Sequence, residues 1–183
     1  MAISAEQRMV AVVRDCPARA VPSGTPMTIP KNTFVTITQA RGGNYTISHR
    51  GNLARVDGTD ADALGLETEE LEFGDIAEGA PLEEHVWATL RTIYDPEIPV
   101  NIVDLGLVYG VAIEEKSRGH DVVKVTMTLT SPTCGMGQVL AGDVRYRLQK
   151  VPNVDEVFVD IVFDPPWNRD NISEEAQLEL GIF

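Results

Sequence analysis

The stretch best suited to chemistry is Thr130-Ser131-Pro132-Thr133-Cys134-Gly135-Met136-Gly137. It closes an apolar run of strand character and opens a helical pattern, which sets a lone cysteine where a helix begins. Unpaired backbone N–H groups and partial positive charge gather at such an end and favour an anion. A thiol placed there ionises more readily, and the thiolate is both a nucleophile and a metal ligand. Pro132 stiffens the approach, Ser131 or Thr133 is placed to cap the helix, and Gly135 and Gly137 leave space beside the sulfur. A cysteine that merely fills a gap in the core is the ordinary alternative. The flanking proline and glycines favour chemistry at Cys134.

Two other stretches carry candidate groups. The loop from Asp95 to Gly106 contains Asp95, Glu97 and Asp104, which are potential oxygen ligands or acid–base groups as well as turn-forming carboxylates. It is long and rich in aliphatics and proline, a combination that fits a functional loop better than a simple connection. Asp164-Pro165-Pro166-Trp167 is the third, with Trp167 positioned to cover a site, to meet a partner or to plug the core. Cys16, before Pro17, reads as an incidental thiol in an irregular stretch. His49 and His120 read as surface residues, and His85 and Trp87 as packing or surface positions on a helix.

The elements that must position these groups follow from periodicity. Pro81 suits a first helical turn, and Leu82, Val86, Leu90 and Ile93 form one apolar stripe up to Asp95-Pro96. Alternation at Leu105, Leu107, Tyr109, Val111 and Ile113 predicts a strand, with Glu115 to Asp121 as the turn. A second strand places Val123, Val125, Met127 and Leu129 on the core face and Lys124, Thr126 and Thr128 on the other. Met136, Val139, Leu140, Val144 and Leu148 then share a helical face up to Pro152. Val157, Val159, Ile161 and Phe163 make the last strand, and Ser173-Glu174-Glu175 caps a short terminal helix.

This order is α-β-β-α-β. A short turn makes the first two strands antiparallel, and a helical crossover makes the second and third parallel. The start of the first strand and the ends of the second and third then lie at one edge of a small mixed sheet. Asp104, Cys134 and Asp164 to Trp167 should therefore converge, at the kind of edge where open α/β sheets bind ligands.

Ahead of this lies a β-rich region. Met9 to Val13, Phe34 to Thr38, Tyr45 to Ile47 and Leu53 to Val56 read as strands, with turns at Arg41 to Asn44 and Asp57-Gly58. Repeated prolines exclude long helices there. Residues 63–79, acidic and punctuated by glycine, read as a linker. The expected organisation is α+β, with a small β-rich N-terminal domain over 1–62, that linker, and the α-β-β-α-β domain over 80–183.

Twenty-eight acidic residues against fifteen basic ones leave a formal charge of −13. Phosphate binding needs clustered Lys and Arg, so the balance argues against a nucleic-acid partner. No apolar run approaches the roughly 18 residues of a membrane span, and no signal pattern opens the chain, so a cytoplasmic protein is expected. Two cysteines make no disulfide framework, and neither Cys-x-x-Cys nor His-x-x-x-His spacing occurs.

The run Asp95 to Tyr109, the Thr130 to Gly137 stretch and Phe163 to Trp167, occurring in that order, resemble the iron–sulfur assembly family of metal–sulfur cluster biosynthesis proteins. The resemblance covers roughly residues 80 to 170. The region around Cys16-Pro17-Ala18 and Gly51 to Arg55 is similar to the N-terminal extension of the SufT subfamily. The resemblance implies an auxiliary factor that assists cluster insertion or transfer, not a turnover enzyme, a cysteine desulfurase or the main scaffold. It maps the family's reactive cysteine onto Cys134 and its acidic loop residue onto Asp95. Thr133, Gly135, Glu97, Asp104, Asp164 and Trp167 are the expected supporting residues. The implied cargo is iron or a transient iron–sulfur cluster, with none tightly bound, and the implied partners are assembly machinery and apoprotein targets. Iron in such clusters takes about four thiolate-type ligands. One thiolate therefore needs help from a second subunit of a homodimer, a partner protein or a small thiol. Two further readings stay open: a metal-free adaptor, and a thiol enzyme, which no histidine on a converging stretch supports.

Overall fold

The computed structural model of the chain describes residues 8–41, 43–71, 82–95, 98–117, 120–131 and 135–181. The chain divides into two compact units, residues 1–71 with 138–142 and residues 72–137 with 143–183.

The first unit is a six-stranded antiparallel sheet. Its strands are β1 (Arg8–Ala11), β2 (Cys16–Ala20), β3 (Pro26–Ile29), β4 (Phe34–Arg41), β5 (Asn44–His49) and β6 (Asn52–Asp57), in the spatial order β1-β4-β5-β6-β2-β3. Tyr45 to Ile47 and Leu53 to Val56 lie in strands as their β-branched and apolar content predicts, and the β4–β5 turn is tight, with Gly43 at φ +73. Cys16 corrects the sequence reading. It lies in β2, fully buried in a core with Val35, Ile37, Ile47 and Val56. Pro17 is tolerated in that strand because β2 pairs with β6 only at Arg19 and Ala20, so at Pro17 the strand has a single neighbour. A 3-10 helix over Gly58–Leu64 follows, its Asp57 side chain accepting from the Thr59 N–H at 2.9 Å. Ala63 and Leu64, at the start of the stretch read as linker, are buried in the same core because this helix turns them inward. The acidic run after Leu71 lies outside the described residues.

The second unit contains α1 (Leu82–Leu90), β7 (Val108–Ser117), β8 (His120–Met127), α2 (Gly137–Leu148) apart from its residues 138–142, β9 (Val154–Ile161) and α3 (Glu174–Leu180). β7 pairs antiparallel and β9 parallel with the central β8, giving a three-stranded mixed sheet. Val123, Val125 and Met127 are buried on one face, as their alternation requires, while Lys124 is exposed on the other. Thr128, read as outward-facing, is fully buried because β8 has ended one residue earlier.

Three boundaries differ from expectation. α1 stops at Leu90, where Thr92 and Ile93 donate their N–H groups three residues back and tighten the last turn. The β7–β8 hairpin runs through Glu115, Ser117, His120 and Asp121, all within the expected turn, because exposed strand positions tolerate charge. Leu105 and Leu107 are buried in a turn and not in a strand. α3 begins as predicted, with the Ser173 hydroxyl accepting from the Ala176 N–H at 3.3 Å.

Candidate functional site

The segment ahead of β7 folds on its own polar side chains. Asp95 Oδ1 accepts from the Ile98 N–H at 2.9 Å and closes the first turn. Asn101 Oδ1 accepts from the N–H groups of Val103 and Asp104, at 3.1 and 2.9 Å, while its Nδ2 donates to Asp104 Oδ2 at 2.6 Å. This Asx-type arrangement explains why the aliphatics that follow turn inward and do not extend a strand. The Asp95 and Asp104 carboxylates thus organise the loop itself. Gly106, at φ +77, continues the turn, and a Cβ there would run into the Asn171 carbonyl.

Backbone bonds then gather three segments at one end of the sheet. The Thr128 N–H donates to Leu107 O and the Val162 N–H to Met127 O, both at 2.8 Å. Trp167 Nε1–H donates to Leu105 O, the Tyr109 hydroxyl to Pro165 O and the Ser173 N–H to Asp104 O, each at 2.7 Å. The loop from 104 to 109, the end of β8 and the stretch from 162 to 173 meet there, as the strand order predicts. Trp167 is partly buried and Asp164 is exposed. A cleft of about 160 Å³ opens beside this junction, with Tyr94, Asn101 and Asp104 on one wall and Glu175 and Glu179 of α3 on the other.

Pro132, Thr133, Cys134 and Glu97 lie outside the described residues. On either side of the cysteine-bearing segment the chain is closely packed: a Cβ on Gly137 would come within 2.7 Å of Leu129 Cδ1. Gly135 is exposed. Met136 takes the N-cap position of α2, where Ser131 or Thr133 was the expected cap, and Met136 itself makes no side-chain cap bond. Among the described residues no group of three or more His, Cys, Asp or Glu could hold a metal ion.

Tyr109, Asn101 and Ser173 are contributors that sequence reasoning did not assign to the site. Asn101 was legible as an Asx-turn former three residues before Asp104. Tyr109 gave no such signal, since its hydroxyl meets a carbonyl 56 residues away.

Residues 83–160 match the family model for iron–sulfur cluster assembly proteins. A relative in Porphyromonas gingivalis, described as an Fe-S protein maturation auxiliary factor, is 50% identical over 101 residues, covering 55% of this chain and 91% of its own length. The chain belongs to the iron–sulfur cluster assembly protein family. Another family member, the Fe-S protein maturation auxiliary factor SufT of Staphylococcus aureus, is 39% identical over 90 residues, covering 49% of this chain and 98% of its own. A crystal structure of a domain of unknown function from Bacillus anthracis shares 40% identity at a TM-score of 0.50, covering 56% of this chain and 93% of that one. The matches to the two maturation factors span 101 and 90 residues of the chain, and the strands of the six-stranded sheet precede the family-matched residues in the sequence.

Proposed function

We propose that this chain is an auxiliary factor in iron–sulfur protein maturation that assists cluster insertion or transfer to apoproteins in the cytoplasm, with Cys134 as a transient ligand of the cargo. Residues 80–183 handle the cargo in this reading, and the β-rich N-terminal domain precedes them. The observation that carries it is the junction of residues 104–109, 127–128 and 162–173 at one sheet edge, from which the chain runs on through Cys134 into α2. The names of its relatives support the same role.

A single thiolate leaves most of the iron coordination to others. Incomplete ligation suits a donor, because a ligand set completed by a second copy, a partner or a small thiol is readily exchanged. Asp104, Asp164 and Trp167 shape the edge in this reading, and Asp95 and Glu97 border the loop. The role is transfer and not turnover.

Cluster transfer tests the reading. An apoprotein acceptor whose activity returns with its cluster is incubated with anaerobically loaded wild-type chain or with the Cys134→Ala variant. Recovery with wild type and its loss in the variant is the expected result. Equal recovery with both would sink the role of the thiol and favour a metal-free adaptor.

A further inference from the structure

Among the described residues the three-stranded sheet has two unpaired edges, of different character. β7 is interrupted by irregularities between Val108 and Gly110 and between Glu115 and Ser117, and it carries Lys116 near its end. Bulges and lysines are devices that spoil an edge for further pairing. β9 lacks them. From Val157 to Ile161 it runs in unbroken register with Val123 to Met127, and it contains no proline, glycine or lysine.

The direction of its backbone groups follows from one bond. Val162 donates its N–H to Met127 O, and the N–H groups of successive strand residues point to opposite sides. Phe158 and Asp160 therefore point their N–H groups at β8, while Val157, Val159 and Ile161 point theirs to the free side. Among the described residues no strand pairs with β9 there.

The side chains beside this edge are patterned. Glu156, Phe158 and Asp160 are all exposed on the solvent face, with Phe158 53% accessible between the two carboxylates. A second copy of this chain added edge to edge would set its own carboxylates against these, and like charges opposite each other destabilise a sheet. Charge thus selects against self-pairing and for a cationic strand.

We propose that the free edge of β9 receives an extended segment of a partner protein, whose alternate side chains read basic, apolar, basic against Glu156, Phe158 and Asp160. The added strand gains main-chain hydrogen bonds from Val157, Val159 and Ile161, and the side-chain pattern supplies the selectivity. The docking is independent of Cys134, so it stands or falls separately from cargo binding.

The test uses the full chain, isotope-labelled, and follows amide exchange by NMR. The probes are a short synthetic peptide alternating lysine with valine and a matched peptide with glutamate in place of lysine. With the lysine peptide, exchange at Val157, Val159 and Ile161 slows by about tenfold or more, as for amides drawn into a ladder. The glutamate peptide leaves it unchanged. In the double variant Glu156→Lys with Asp160→Lys the protection disappears, while slow exchange at Phe158 and Val162, whose amides face β8, reports an intact sheet. The proposal is overturned if the lysine peptide does not bind, if it binds with the three outward amides exchanging at their free rate, or if the glutamate peptide protects them equally.

Discussion

The indole N–H of Trp167 donates to the main-chain carbonyl of Leu105 at 2.7 Å, across 62 residues of sequence. That bond fastens the stretch after β9 to the turn before β7, and Leu105 is itself fully buried. Trp167→Phe keeps a ring but leaves the carbonyl without its donor, at a cost of about 1–3 kcal/mol. Urea unfolding should show this loss. Tyr109→Phe, which removes a more exposed bond to Pro165 O, should cost less, about 0.5–1 kcal/mol. The reverse ranking would mean that Trp167 does not fasten the junction.

Gly106→Ala should be more damaging than its small size suggests. The residue sits at φ +77, and the new methyl would meet the Asn171 carbonyl. Left-handed strain alone is worth about 1–2 kcal/mol, and displacing the 169–171 turn adds to it. The expected result is a lowered urea midpoint together with faster amide exchange at Ser173, whose N–H is held by Asp104 O at 2.7 Å.

Arg147 is fully buried on α2, and its Nη1 donates to Thr92 O at 3.1 Å and to Thr92 Oγ1 at 3.0 Å. A guanidinium at the carbonyl end of a helix satisfies orphan acceptors and complements its dipole. Arg147→Ala leaves a cavity as well as unpaired carbonyl groups and should cost about 3 kcal/mol or more. Arg147→Lys cannot reproduce the planar fork and should recover only part of that in thermal unfolding.

Parts of this architecture were legible because they follow from local rules. The apolar alternation from Val123 to Met127 marks a half-buried strand. A hairpin followed by a helical crossover leaves little choice but antiparallel and then parallel pairing, and the meeting of Asp104 with the 162–173 stretch follows from that order. Ser173 announces its helix by capping chemistry alone. Other parts depend on contacts that no window of sequence contains. Pro17 argues against a strand unless it is known that β2 has a single neighbour there. The Asp95 and Asp104 carboxylates carry no sequence sign that the Ile98 N–H donates to the first and the Asn101 side-chain amide to the second. Leu107 keeps strand periodicity, yet Asn101 turns the chain before the sheet begins.

Cys16 makes a pH prediction. Burial pushes its thiol up from the ordinary 9.0 to about 11, with the nearby Asp60 carboxylate adding to the effect. The folded chain then holds this proton more tightly than the unfolded chain. The resulting stability is whole below pH 9 and is lost as pH rises toward about 11. Relative to Cys16→Ala, the wild-type chain should lose stability over that interval. In the Cys134→Ala background the remaining thiol should resist iodoacetamide at pH 8 in the native protein and react fully in denaturant, as intact mass would show.

The most direct test of the central claim is iron bound per chain after anaerobic reconstitution with ferrous iron and sulfide, read by metal analysis alongside the visible charge-transfer absorbance. Wild-type chain should retain iron and absorbance after desalting with a small thiol present, and Cys134→Ala should retain neither while its far-ultraviolet circular dichroism stays the same. Equal iron and absorbance in the folded variant would contradict the account.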